Sequence, residues 1–164
     1  MKTLYLHIGL HKTGSTALQS TLLKHQTKLE RRGYFIPKAG RNPRPKNRIV
    51  HSNLSWEILG TPSFLTEAGG LSDVVQEIQN TEMPNCIITD EGLSRLRNPQ
   101  MLTNSFPHLN IVVIAFTRNP LSAAGSLYCE HLKFGQTRIF DTWLKRAGRK
   151  MLNHSEIVKR WEAL

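Results

Sequence analysis

The chain has 164 residues, 39% of them hydrophobic, with 22 Lys and Arg against 12 Asp and Glu and a formal net charge of +10. That length holds one domain with a real core, residues 1–164, and not two of ordinary size, and the composition excludes the disordered and fibrous classes. No run reaches the about 18 apolar residues of a membrane span, Lys2 leads straight into a strand-like segment, and the two cysteines, Cys86 and Cys129, lack metal-ligating neighbours, so neither an anchor nor a signal peptide is expected and a reducing cytoplasm is the expected compartment.

The charge is unevenly placed. Residues 1–50 carry eleven Lys or Arg and a single acid, Glu30, while the remainder balances eleven against eleven. Such a field attracts phosphate, sulfate, nucleic acid or acidic polysaccharide without choosing among them, and scattered lysines such as Lys24 and Lys28 read as solubility.

In chain order, residues 3–8 are β-favouring and apolar and run into a glycine loop, residues 9–16. Residues 17–32 show helical spacing, with Leu18, Leu22 and Leu29 as the apolar stripe and Gly33 as the stop. A short strand at 34–36 gives way to residues 37–48, which hold three prolines, five basic residues and no acid and read as an exposed loop. Residues 51–59 and 71–78 look helical, and the apolar run 86–89 ends on Asp90 and Glu91 as a buried parallel strand ends at a functional loop. The run 111–116 is continuously apolar, so helices are expected on both its faces, and it delivers Thr117 and Arg118 at its carboxyl end. Asn119 reads as a helix N-cap and Pro120 as the first position of a helix to about Lys133, with further helices expected at 138–147 and 155–164. Short apolar strands alternating with helices over long crossovers predict a three-layer α/β/α sandwich with a mainly parallel sheet, binding its ligand at the carboxyl edge of the strands.

A glycine turn between strand and helix lets backbone N–H groups converge on an anion at a helix N-terminus. The loop at 9–16 has that context. It departs from the ATP- and GTP-binding loop, which places lysine directly after its second glycine, where this chain has Ser15. The lysine is Lys12, two positions before Gly14, so it reaches a different atom, near the bridge to a transferred group, and a P-loop kinase is disfavoured.

The stretch Leu6-His7-Ile8-Gly9-Leu10-His11-Lys12-Thr13-Gly14-Ser15-Thr16-Ala17-Leu18-Gln19 resembles the 5'-phosphosulfate loop of the sulfotransferases that use 3'-phosphoadenosine-5'-phosphosulfate (PAPS), in particular the bacterial sulfotransferase-like proteins. In that family a second strand-to-helix junction supplies an arginine and, eight residues on, a serine for the 3'-phosphate, and Arg118 and Ser126 have that spacing. The resemblance implies the P-loop NTPase-like sulfotransferase fold, PAPS as co-substrate and no metal. Gly9, His11, Lys12, Thr13, Gly14, Ser15, Thr16, Arg118 and Ser126 would bind the nucleotide, with Lys12 also stabilising the leaving phosphate. Family branches use glutamate or histidine as base, which leaves Glu91 and His51 both as candidates; His7 is expected in the core and His11 at the entrance.

The expected activity is sulfuryl transfer from PAPS to a hydroxyl or amine of a small-molecule or carbohydrate acceptor, with no nucleic acid as partner. Family members are usually longer, so a C-terminally truncated domain is expected, which keeps a second reading open: a non-catalytic nucleotide- or polyanion-binding remnant using Lys38, Arg41, Arg44, Lys46 and Arg48.

Overall fold

Four short runs of apolar, β-favouring residues form one sheet in the computed structural model, which describes residues 1–44, 46–148 and 153–163. They are Thr3–His7 (β1), Tyr34–Phe35 (β2), Asn85–Thr89 (β3) and Asn110–Ile114 (β4), all parallel, in the order β2-β3-β1-β4. Eight helices accompany them among the described residues: Ser15–Lys24 (α1), Gln26–Glu30 (α2), Ser52–Ile58 (α3), Leu71–Asn80 (α4), Gln100–Thr103 (α5), Pro120–Lys133 (α6), Phe140–Trp143 (α7) and His154–Glu162 (α8). The chain is therefore an α/β structure on an all-parallel sheet.

Side chains alternate across a strand, and the register stacks like with like. Leu4 lies opposite Cys86 and Ile111, and Leu6 opposite Ile88 and Val113. On that face Leu4, Leu6, Cys86 and Ile88 are fully buried against Leu54 of α3, Val74 and Ile78 of α4, and Ile157 and Trp161 of α8. Ile87, which points the other way, packs with Leu18 and Leu22 of α1, Leu29 of α2, Ile36 and Ile49. Helices thus cover both faces, and each fully buried aliphatic side chain contributes about 1.5–3 kcal/mol to holding them there.

Several boundaries differ from the sequence expectation. The helix expected at 17–32 begins at Ser15 and is interrupted at His25 (φ −110°), giving α1 and α2. The strand expected at 111–116 stops at Ile114 and lies at the sheet edge, where its apolar residues are half-buried instead of covered on both faces; β1 is its one strand neighbour among the described residues. The helix expected at 138–147 is only α7, continued by a π-helical turn at Leu144–Gly148. The last expected helix is α8, started by Asn153, whose side chain accepts from the Glu156 N–H; Leu164 lies outside the described residues. The basic segment is a loop but not wholly exposed. Pro37 and Ala39 are buried, and the Arg41 guanidinium turns inward to donate to the carbonyls of Pro37 (2.5 Å) and Ile36 (2.7 Å).

Because all four strands run the same way, the loops that follow β1, β3 and β4 emerge along one edge of the sheet. The chain leaves β1 toward β2 and β3 on one side and places β4 on the other, so the crevice at the carboxyl end of β1 is flanked by unrelated segments, which is where open parallel sheets bind ligands.

Candidate functional site

The loop after β1 turns on two glycines. Gly9 sits at φ +37°, and a Cβ there would lie 2.9 Å from both the Glu91 Cγ and the Ser15 Oγ, so the backbone of this loop approaches the β3 loop more closely than any side chain would allow. Gly14, at φ +97°, is the N-cap of α1 and offers no side chain to the first-turn amides, while no acidic side chain lies in that turn. The positive end of α1 is left for another acceptor. Lys12 also has a left-handed backbone, φ +63°, unlike any other non-glycine among the described residues. Thr13 closes the turn by donating its hydroxyl to the Leu10 carbonyl at 2.6 Å.

The β4 loop is tied to this one. Arg118 donates from Nη1 to the Lys12 carbonyl at 3.2 Å, and Asn119 caps α6 by accepting from the N–H of Leu121 (3.0 Å) and Ser122 (3.3 Å). Ser126 and Glu130, one turn apart on α6, then face the same space as Lys12, whose ammonium lies 3.5 Å from the Glu130 carboxylate.

That space is a cavity of about 490 Å³. Its lining brings the cations Lys12, Arg48 and Arg118 and the hydroxyls of Ser15, Thr16 and Ser126 together with the carboxylates of Asp90, Glu91 and Glu130. Two sequence segments about a hundred residues apart, each singled out by its own motif, meet here. Gly9 and Thr13 shape the loop without lining the cavity. His11 lies to one side, its Nδ1 3.8 Å from the Glu91 Oε2, with burial holding its pKa below the ordinary value despite that carboxylate.

The two candidate bases are placed very differently. Glu91 lines the cavity. His51 is fully buried, and both ring nitrogens are spent on the main chain: Nδ1 accepts from the Thr89 N–H at 3.2 Å and Nε2 donates to the Pro37 carbonyl at 3.1 Å. Burial, with the Arg41 charge nearby, pushes its pKa down to about 4. His51 braces the end of β3 against the basic loop from behind the wall. His7 is in the core as expected, its Nδ1 2.8 Å from the Thr89 hydroxyl and its pKa lowered by burial to about 4.

Two charged lining residues, Asp90 and Glu130, were not among the candidates drawn from the sequence, and Arg48 was a candidate only in the polyanion-binding reading. Arg48 donates from Nη1 to the Thr16 hydroxyl at 3.2 Å, which converts one cation of the basic loop into part of the cavity wall. Asp90 is almost completely buried, its Oδ2 has no hydrogen-bond partner among the described residues, and burial pushes its pKa up to about 6. Glu130 could have been found, since it follows Ser126 by four positions on a predicted helix. Arg48 was legible only as one of five cations of the basic loop, because nothing in a loop fixes which of them folds back. Lys38, Arg44 and Lys46 remain exposed.

Comparisons with family models, curated proteins and solved structures found no match to this chain.

The chemistry available is specific all the same. Cations, hydroxyls and a helix N-terminus converge on one volume and favour a ligand with several anionic groups, while the neighbouring carboxylates offer a proton acceptor.

Proposed function

We propose that the chain is a PAPS-dependent sulfotransferase domain of the P-loop NTPase-like fold. The observation that carries this reading is the meeting of Lys12, Ser15 and Thr16 with Arg118 and Ser126 around one cavity, since the nucleotide has two anionic ends and each motif suits one of them. The amides at the start of α1, with the Ser15 and Thr16 hydroxyls, hold the 5'-phosphate. Arg118 and Ser126 hold the 3'-phosphate, and the tie between Arg118 and the Lys12 carbonyl sets the distance between the two ends.

In the transfer step an acceptor oxygen forms a bond to sulfur as the bond from sulfur to the bridging oxygen breaks, and the electron pair leaves on the 5'-phosphate. Lys12 neutralises that developing charge. Glu91, which lines the cavity on the β3 side, takes the acceptor proton. His51, with both nitrogens on the main chain, holds the Glu91 loop in place.

Calorimetric titration with 3'-phosphoadenosine-5'-phosphate, beside ATP and AMP, tests the reading. Binding that requires the 3'-phosphate and falls at least about tenfold in Arg118→Ala is expected, as for loss of a charge-assisted phosphate contact. Equal affinity for AMP, or an Arg118→Ala variant that binds like the parent, would refute it.

A further inference from the structure

A second cavity, of about 1130 Å³, adjoins the first. The two come together at His11, which lines the second cavity, and Glu91, which lines the first, the pair being 3.8 Å apart. His11 is thus the side chain across which a molecule in the second cavity comes near Glu91.

The lining has a definite chemistry. Its apolar part is aliphatic, from Ile58, Leu59, Leu96, Met101 and Ile157, with no aromatic ring. Its charged part is Arg95, Arg97 and Arg160 against the single acid Glu156. Arg160 is committed to the fold: its Nη1 donates to the Leu96 carbonyl at 3.1 Å and its Nη2 to the Ser94 carbonyl at 3.3 Å, which fixes the turn that carries the other two. Arg95 and Arg97 are exposed and make no ion pair among the described residues. Two guanidinium groups beside an aliphatic trough favour a ligand with an apolar chain and a carboxylate or sulfate on it.

We infer that this cavity is the acceptor site and that its ligand is an aliphatic, hydroxyl-bearing anion, the anionic group on Arg95 and Arg97, the chain along Ile58, Leu96 and Met101, and the hydroxyl at Glu91. The acceptor role rests on the sulfotransferase reading: the hydroxyl oxygen bonds to the sulfur of PAPS, its proton passes to Glu91, and the desulfated nucleotide leaves. The anion preference rests on the lining alone. The three exposed cations of the basic loop are not part of this site.

The test is calorimetric titration of the whole chain with ω-hydroxydodecanoate and with the corresponding dodecane diol, which differs by lacking the charge. The hydroxy acid is expected to bind at least about tenfold more tightly than the diol, with that preference erased in the double variant Arg95→Ala/Arg97→Ala and both ligands weakened by Met101→Asp. These side chains are exposed, so folding is retained, and affinity for 3'-phosphoadenosine-5'-phosphate in the variants should equal the parent's. Equal affinity for acid and diol, no binding of either, or a preference that survives the double variant would overturn the inference while leaving the nucleotide site standing. A hydroxy-acid preference that depends on the two arginines, in a chain that ignores the 3'-phosphate, would support the anion site and overturn the sulfotransferase reading, and the acceptor role with it.

Discussion

Lys12 lies between two claims on its charge. Its ammonium is 3.5 Å from Glu130, and both side chains are partly exposed, so the pair is screened and its net worth is that of a surface ion pair, about 0.2–1 kcal/mol. An anion that enters the cavity competes with Glu130 for the same cation. Glu130→Gln is therefore expected to tighten binding of 3'-phosphoadenosine-5'-phosphate by about twofold to fivefold, measured calorimetrically. Weaker binding in that variant would instead make Glu130 a direct contact of the nucleotide. The sequence pointed to Lys12 and Ser126 because their motifs are local; the ion pair joins residues 118 positions apart, and only the fold reveals that the loop lysine comes with its own counter-charge.

At the level of elements, α6 is the part most dependent on one side chain. Asn119 accepts from two first-turn amides, and that cap fixes where the helix starts relative to Arg118 and how Ser126 faces the loop. Asn119→Ala is expected to cost about 1 kcal/mol in denaturant unfolding and, because it loosens Arg118 and Ser126, the proposed 3'-phosphate ligands, together, to weaken nucleotide binding without lowering overall helix content by circular dichroism. Unchanged affinity would show that Arg118 is held by the Lys12 carbonyl alone. The start of this helix was readable from Asn119-Pro120, as the glycine loop was from its spacing, because caps and turns are dictated by nearest neighbours. The edge position of β4 was not, since a run of Ile and Val looks the same wherever it pairs, and strand order depends on contacts a hundred residues apart. For His51 the sequence showed a titratable ring near a loop, whereas the roles of its two nitrogens were set by Thr89 and Pro37, which no local pattern links to it.

For the molecule as a whole, three buried titratable groups decide how stability varies with pH. His7 and His51 have pKa values lowered by burial from 6.5 to about 4, so the folded chain binds fewer protons than the unfolded chain between those values. Their contribution is fully present above about pH 6.5 and is lost as the pH falls toward 4. Asp90 works the other way: burial raises its pKa from 3.8 to about 6, so its ionisation costs stability above about pH 6 and that cost disappears on acidification. Two histidines against one aspartate leave the first effect larger. The urea midpoint is expected to fall between pH 7 and pH 5, and a midpoint that rises would mean that Asp90 outweighs the pair.

The edge position of β4 also sets a pattern in time. In a parallel pair the amides of alternate residues point toward opposite neighbours, and Asn110 donates to the Lys2 carbonyl on the β1 side. The amides of Val112 and Ile114 therefore share that shelter, while those of Ile111 and Val113 look away from β1. In deuterated water the strand should label as a comb, every second amide exchanging early and its neighbours only when β1 and β4 part, so that one short strand would report both the local accessibility of the sheet edge and the opening of its centre.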